Sequence, residues 1–391
     1  MSERKIRIGL VGYGNIGSMH AKNLCDHKIP RANLAAICDI DASKRQKAGD
    51  CFPSIPLFSS LDDMLQHADI DALLIATPHK LHCEMAIAAF EHGLHVLTEK
   101  PAGIRPSDVK AMNLAAEKSG KVFGIMFNQR THSLFQKAKE LVDSGALGEK
   151  KRLTWIVTNW YRTQSYYDSG AWRATWQGEG GGVLTNQSPH NLDIAAWLFG
   201  MPKTVSAFCH EGRYHNISVE DFAMIHGEYE NGATMQFITG TGEYPGTNRL
   251  ELVGDSGKIV IEEGKLKYHK LLQNEKTVRF SSSVSMPKIP YEYSEYTSDK
   301  PDTAHCGILE NFVSSILDGT SLLAPGKDGI RQVMLTSAAY LSAWTNTTVS
   351  LPIDDALYNK LLQEKQEKET EKHALPSEND SDHTARWTVN W

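Results

Sequence analysis

Residues 6–24 read IRIGLVGYGNIGSMHAKNL. An apolar, β-prone run, Ile6 to Val11, meets Gly12-Tyr13-Gly14-Asn15-Ile16-Gly17, which opens a helical stretch. Each glycine has a physical task in such a loop. Gly12 permits the tight turn, Gly14 lets the backbone approach a pyrophosphate, and Gly17 permits close packing of helix on strand. The free N–H groups and positive dipole end of the helix N-terminus then face the phosphates. Asp39 follows 22 residues after Gly17, at the end of the next apolar run. An acid there suits the ribose hydroxyls of NAD and repels a 2′-phosphate, although Lys44 and Arg45 lie close enough in sequence to reach one. The loop with its context therefore predicts a dinucleotide site in which Gly12, Tyr13, Gly14, Asn15, Ile16, Gly17 and Asp39 hold NAD.

Working outward, the same alternation continues. Short buried-type strands are expected at 5–11, 33–39, 71–77, 94–99 and 121–127, with helices at 16–26, 61–67, 81–92 and 107–119. Ser60 with Asp63 makes an S-x-x-D helix start, and Gly93 and Gly120 follow helices as stops. Strands alternating with helices imply an α/β fold with a doubly wound parallel sheet. After a helix at 133–143 the texture changes. Asn231-Gly232, Gly254-Asp255-Ser256-Gly257 and Glu263-Gly264 are hairpin turns between longer strands, so the region from Arg152 to about Phe280 reads as a largely antiparallel, open-faced sheet in an α+β domain. Helices are expected at 189–199, 305–317 and 328–344. The domain reading is 1–127 for the NAD-binding Rossmann domain, 128–355 for substrate binding and oligomerisation, and 356–391 for a charged, helical then flexible tail. The tail's apolar end (Trp387, Val389, Trp391) is able to dock on a partner subunit.

With 391 residues the chain exceeds one ordinary core, and 41% hydrophobic with 23% charged residues is the balance of a globular protein. A net charge of −6 without a basic stripe argues against nucleic acid. No apolar run is long enough to span a membrane, and the first residues lack a secretory pattern. Six cysteines without zinc-type spacing read as free thiols in a cytoplasmic enzyme that needs no metal.

Ligands of open α/β sheets bind beyond the carboxyl ends of the strands. Ala76-Thr77-Pro78 and Thr98-Glu99-Lys100-Pro101 fall there, each strand stopped by its proline, which makes Lys100 a fixed cation at the nicotinamide end. The second constellation is the segment from Gly178 to Asp193. Its three glycines, 180–182, allow close approach of backbone to a ligand or to another element. Asn186, His190 and Asp193 are spaced to share a helix face, and a histidine is suited to moving a hydroxyl proton at neutral pH. Upstream, Asn159 to Tyr167 and Trp172 to Trp176 interleave aromatics with polar groups. Trp160, Tyr161, Arg162, Trp172 and Arg173 either line a sugar pocket or pack a domain interior.

These residues resemble the Gfo/Idh/MocA oxidoreductases over about Lys5 to Leu351. The carriers are the glycine loop, Ala76-Thr77-Pro78 with His82, Glu99-Lys100-Pro101, and Gly180 to Asp193. The resemblance implies a sugar-type dehydrogenase with Lys100 and His190 at the substrate, and Thr77, Pro78, His82 and Glu99 on the cofactor side. Asn186 departs from the aspartate common there. The Asn-Gln-x-Pro-His form is similar to the branch containing levoglucosan dehydrogenase, glycoside 3-dehydrogenases and inositol dehydrogenases. The implied reaction is NAD-dependent oxidation of a secondary hydroxyl, at C3 by that branch, in a sugar, glycoside or cyclitol. Two alternatives stay open: redox-assisted glycoside cleavage or elimination that recycles NAD, and a non-catalytic dinucleotide-binding sensor. The helix-free face of the second sheet predicts a homodimer or homotetramer.

Overall fold

The computed structural model describes residues 4–298 and 302–369. The chain divides into two compact units. The first comprises residues up to Thr131 together with Thr303–Val333, and the second His132–Asp302 together with the residues from Met334 onward.

In the first unit, the described strands β1 (Ile6–Val11), β2 (Ala32–Cys38), β3 (Leu57–Phe58), β4 (Ala72–Ile75), β5 (His95–Thr98) and β6 (Phe123–Ile125) form one sheet. Its order is β3-β2-β1-β4-β5-β6 and every pairing is parallel. The order reverses between β1 and β4, the switch point at which such sheets bind ligands. Strands buried on both faces explain the near-continuous apolar runs, with Ile6, Leu10, Leu73, Leu74 and Val96 all lost to solvent. The expected helix signals operate as written: Ser60 accepts from the Asp63 N–H, and Gly120 takes a left-handed φ of 65° past the helix Pro106–Ser119. Helix Ala42–Cys51, absent from the sequence reading, starts on Asp41, whose carboxylate accepts from the Ser43 N–H.

The linear boundaries expected from sequence need correction. Helix Ala304–Asp318 buries Ile308, Leu309, Phe312 and Val313 in the same core as β1, β4 and β5. The chain after it pairs with β6, where Ile125 N–H donates to Ala324 O at 3.0 Å. The Arg130 guanidinium, buried, meets Asp328 at 2.9 Å and Leu323 O at 3.0 Å. Residues 303–333 thus complete the first unit, because their apolar stripe has its partners there.

The second unit carries β7 (Lys150–Val157), β8 (Thr204–Glu211), β9 (Glu220–Glu228), β10 (Thr234–Gly240), β11 (Asn248–Gly254), β12 (Gly257–Glu262), β13 (Lys265–Leu271), β14 (Tyr291–Thr297) and β15 (Val349–Ser350). The order among these described strands is β14-β13-β12-β11-β7-β10-β9-β8-β15, antiparallel except for the parallel pair β7 and β10. The three turn signals sit where expected, between β9 and β10, β11 and β12, and β12 and β13. Burial alternates along β7, with Leu153, Trp155 and Val157 inside and Thr154 and Ile156 half-buried. Trp155 lies between Phe135 of helix Ser133–Asp143 and Phe237 of β10, with ring centroids 5.8 and 6.2 Å away. The opposite face carries ion pairs such as Arg249 with Glu262 and Arg152 with Glu251.

The expected tail begins, as the sequence reading has it, with a helix, Asp355–Lys368. Tyr358 and Leu362 are buried in the second unit, with Tyr358 stacked 5.8 Å from Trp344. The docking expected of Trp387, Val389 and Trp391 lies outside the described residues.

Replacing Phe312 by Ala should cost about 3–5 kcal/mol by opening a cavity in the first unit's core. Urea denaturation reads this, and an unchanged midpoint would detach that helix from the core.

Candidate functional site

The glycine loop of the first unit leaves β1 at the switch point. Gly12 adopts φ 93° and a Cβ there would lie 2.5 Å from Ala76 O; at Gly17 it would lie 1.9 Å from Gly12 O. Both positions exclude a side chain because backbone occupies the space. Gly14 differs: nothing lies within 4 Å of where its Cβ would be. It precedes helix Asn15–Cys25, whose N-terminus has no side-chain cap and no acid in its first turn. An open glycine before an uncapped positive helix end is the arrangement a pyrophosphate requires, so these residues fit NAD.

Asp39 is buried at the end of β2. Its carboxylate accepts the Tyr13 N–H at 2.7 Å and the Asp41 N–H at 2.9 Å. Lys44 Nζ stands 3.9 Å from it, and Arg45 donates to Asp39 O at 2.8 Å. Both cations considered for a 2′-phosphate are therefore engaged around the acid. Ile40, next in sequence, is 85% exposed.

Beyond β5, Glu99 is buried and its Oε1 meets His20 Nε2 at 2.7 Å, while its Oε2 accepts the Lys100 N–H at 3.2 Å. Burial pushes the Glu99 carboxyl up, but the His20 hydrogen bond and the charges of His20, His305 and Lys100 together pull it down to about 2. A permanent buried carboxylate thus sits directly behind Lys100, which is itself half-buried. His82 has no exposed surface. Its Nδ1 lies 2.8 Å from Pro101 O and its Nε2 2.8 Å from Thr77 O, so it stands between the segments that follow β4 and β5 and, as a neutral ring, donates to one of the two carbonyls. Burial pushes it below the usual imidazole range.

In the second unit, the glycines at 180–182 approach another element. A Cβ at Gly181 (φ 148°) would lie 2.0 Å from the Tyr340 hydroxyl, and at Gly182 1.9 Å from Glu220 O. The buried Glu220 carboxylate accepts N–H groups of Gly182 and Leu184, each at 2.9 Å, and the Tyr340 hydroxyl at 2.8 Å. Burial is the largest influence on it and raises its pKa to about 7 against these hydrogen bonds. The segment so held leads into helix Pro189–Phe199, which carries half-buried His190 and buried Asp193. Asn186 precedes that helix in a turn, with its N–H on Gly182 O at 2.9 Å, so it does not share a helical face with the other two.

Asn186 donates through Nδ2 to Glu179, whose other oxygen accepts the Ala174 N–H at 2.6 Å. Arg173 reaches Glu179 at 3.8 Å and the Tyr166 hydroxyl at 2.8 Å, with its guanidinium 4.5 Å above the Tyr166 ring and 4.7 Å above that of Trp172. Gln187 Nε2 donates to the same hydroxyl at 3.2 Å. The aromatics divide. Trp160 and Trp176 are buried, whereas Tyr161 and Trp172 are 46% and 44% exposed. Arg162 turns back on its own loop, donating to Tyr161 O at 2.9 Å.

The sequence reading missed His20, Glu179, Glu220 and Tyr340. Glu179 lies inside the segment from Gly178 to Asp193 and is recoverable from it; each of the others joins the segments of its own unit only through tertiary contacts.

Comparison with known proteins bears on what these regions do. Residues 6–127 match the family model for the oxidoreductase family with an NAD-binding Rossmann fold, and residues 135–260 that for the GFO/IDH/MocA C-terminal domain. The chain is 25% identical over 360 residues to scyllo-inositol 2-dehydrogenase (NAD(+)) of Bacillus subtilis, spanning 90% of this chain and 98% of the relative. It is 24% identical over 363 residues to D-glucoside 3-dehydrogenase of Escherichia coli, spanning 90% and 99%. The solved WlbA dehydrogenase from Bordetella pertussis, in complex with NADH and UDP-GlcNAcA, matches with a TM-score of 0.75 at 29% identity, over 90% of this chain and 100% of that one.

Glu220 makes stability depend on pH. Its carboxyl titrates near 4.5 when unfolded and at about 7 when folded. Below the lower value both states hold the proton and the contribution is fully present. As pH rises toward 7 the unfolded chain has released its proton and the folded one has not, so on the order of 3 kcal/mol is lost. Melting temperature should fall more steeply between pH 5 and 7.5 in wild type than in Glu220→Gln; parallel slopes would assign the effect elsewhere.

Proposed function

Because this chain belongs to the Gfo/Idh/MocA family of NAD-binding oxidoreductases, we propose that it oxidises a secondary hydroxyl of a sugar, glycoside or cyclitol. The support is that relatives aligned over nine-tenths of the chain are named as inositol and glucoside dehydrogenases, while this chain carries a lysine after β5 and a histidine opening helix Pro189–Phe199.

The loop Gly12–Gly17 and Asp39 hold NAD, with Thr77, Pro78 and Glu99 on its nicotinamide side. NAD, when bound, supplies the hydride acceptor. Lys100 donates a hydrogen bond to the reacting hydroxyl and stabilises the developing alkoxide. His190 takes the hydroxyl proton, so that loss of hydride from carbon and of the proton from oxygen leaves a ketone. Asp193 and Asn186 position His190 or neighbouring hydroxyls. Tyr161, Trp172 and Arg173 offer ring faces and a donor to the sugar; Trp160 and Arg162 shape the loop that carries Tyr161. The C3 hydroxyl is the first choice, from the glucoside 3-dehydrogenase relative.

We further propose a cytoplasmic enzyme, given six cysteines all present as free thiols. The half-buried face of the nine-stranded sheet would meet a second copy, making a homodimer or homotetramer. Among the described residues no helix is long and apolar enough to cross a membrane.

Incubation with NAD and a panel of glucosides, free sugars and inositols, followed by NADH absorbance, tests the reaction. Lys100→Ala and His190→Ala should each lower kcat by about 10²–10⁴-fold. No absorbance with any polyol, or a Lys100→Ala chain as active as wild type, would overturn the reading.

A further inference from the structure

The turn Trp172–Gly180 carries Trp172, Arg173 and Glu179, and it is built in a costly conformation. Ala174 has φ 53°, a left-handed setting that a non-glycine residue adopts only where its surroundings over-determine it. From within, Glu179 accepts the Ala174 N–H at 2.6 Å. From without, the carboxylate of Glu369, just past helix Asp355–Lys368, accepts two successive backbone N–H groups, Trp176 at 2.8 Å and Gln177 at 3.0 Å, and also the Ser218 hydroxyl. Ser218 Oγ in turn lies 3.4 Å from Ala174 O. One turn earlier on that helix, Gln366 Nε2 donates to Trp176 O at 2.9 Å while Gln177 Nε2 donates to Gln366 O at 2.9 Å.

The helix that bears Glu369 is itself anchored. Tyr358 stacks on Trp344, Trp344 stacks on Tyr340 at 5.5 Å, and both Tyr340 and Trp344 contact the Trp176 ring edge-on, at 5.2 and 5.4 Å. Four aromatic rings therefore fix the distance between the C-terminal helix and the turn. The carboxylate then supplies the acceptors that this turn's own backbone does not provide.

We propose that Glu369 is a positioning residue for substrate recognition: it locks the turn 172–180 in the strained form that presents Trp172 and Arg173 to the sugar. It does not touch the substrate. Its effect passes through the amides of Trp176 and Gln177 to Ala174 and so to Arg173, held between Tyr166 and Glu179. This assignment rests on the dehydrogenase reading above only for the identity of what the turn presents.

The test uses the full-length chain and two readouts. In Glu369→Ala, hydrogen exchange at the amides of residues 172–180 should accelerate at least tenfold, about the effect of losing one charge-assisted hydrogen bond. KM for the sugar should rise by a similar factor while kcat and the KM for NAD stay within about twofold. Glu369→Gln, which keeps one acceptor oxygen, should fall between, and Gln366→Ala should loosen the same amides less. Glu367→Ala, on the exposed side of the helix, should change neither readout. Exchange in 172–180 left at the wild-type rate, or a faster exchange with no change in sugar KM, overturns the assignment. Should wild type turn over no polyol at all, the dehydrogenase reading fails, and the exchange contrast alone then decides whether Glu369 locks the turn.

Discussion

A carboxylate removed from water must be given hydrogen-bond donors, and the nearest donors in a folded chain are the N–H groups that loops leave unpaired. This chain meets that requirement at several of its loops. Asp39 holds the glycine loop through Tyr13, and Glu99 holds Lys100. Glu179 holds Ala174, and Glu220 holds Gly182 and Leu184. Asp221, beside Glu220 on β9, gathers the amides of Arg213, Tyr214 and His215 in the same way. The secondary structure sets these loops roughly in place, and the buried acids set their final geometry.

Two of these acids, Glu99 and Glu220, are nonetheless held in different electrical states. Glu99 has the imidazole of His20 against it and the charges of His305 and Lys100 nearby, so it is a charge at any pH the cell offers. Glu220 has only neutral donors, two amides and a phenol, and burial leaves it near the point of neutrality. The first can support a cation such as Lys100. The second holds neutral donors, two backbone amides and the Tyr340 hydroxyl. The difference follows from whether a positive group shares the burial.

What could be read from the sequence was whatever is decided locally. The glycine loop, the three hairpin turns and helix Pro189–Phe199 each depend on residues within a few positions of one another, and each stands where expected. Helix Ala42–Cys51 has one buried residue, Ala48, and so no apolar period to detect. Strand β14, YEYSEYT, shows mostly exposed side chains and gives no core-facing alternation. The parallel pairing of β7 with β10 and the return of residues 303–333 to the first unit are joined by contacts far apart in sequence. At the site, the glycine run at 180–182 was legible as a close approach, but its partners, Tyr340 and Glu220, were not. Asn186 was read as a helix-face residue because the spacing to His190 is that of one turn; the helix starts three residues too late for that.

Helix Ala304–Asp318 also has a consequence for how the protein is made. The core around β1, β4 and β5 includes Ile308, Leu309, Phe312 and Val313, which leave the ribosome only after all of residues 132–302 have been synthesised. Domains that are continuous in sequence can close behind the elongating chain. Here part of the core of the nucleotide-binding sheet stays uncovered while residues 132–302 are made in between. For that interval the nascent chain carries an apolar surface whose cover has not yet been translated, and chaperone demand should be concentrated there.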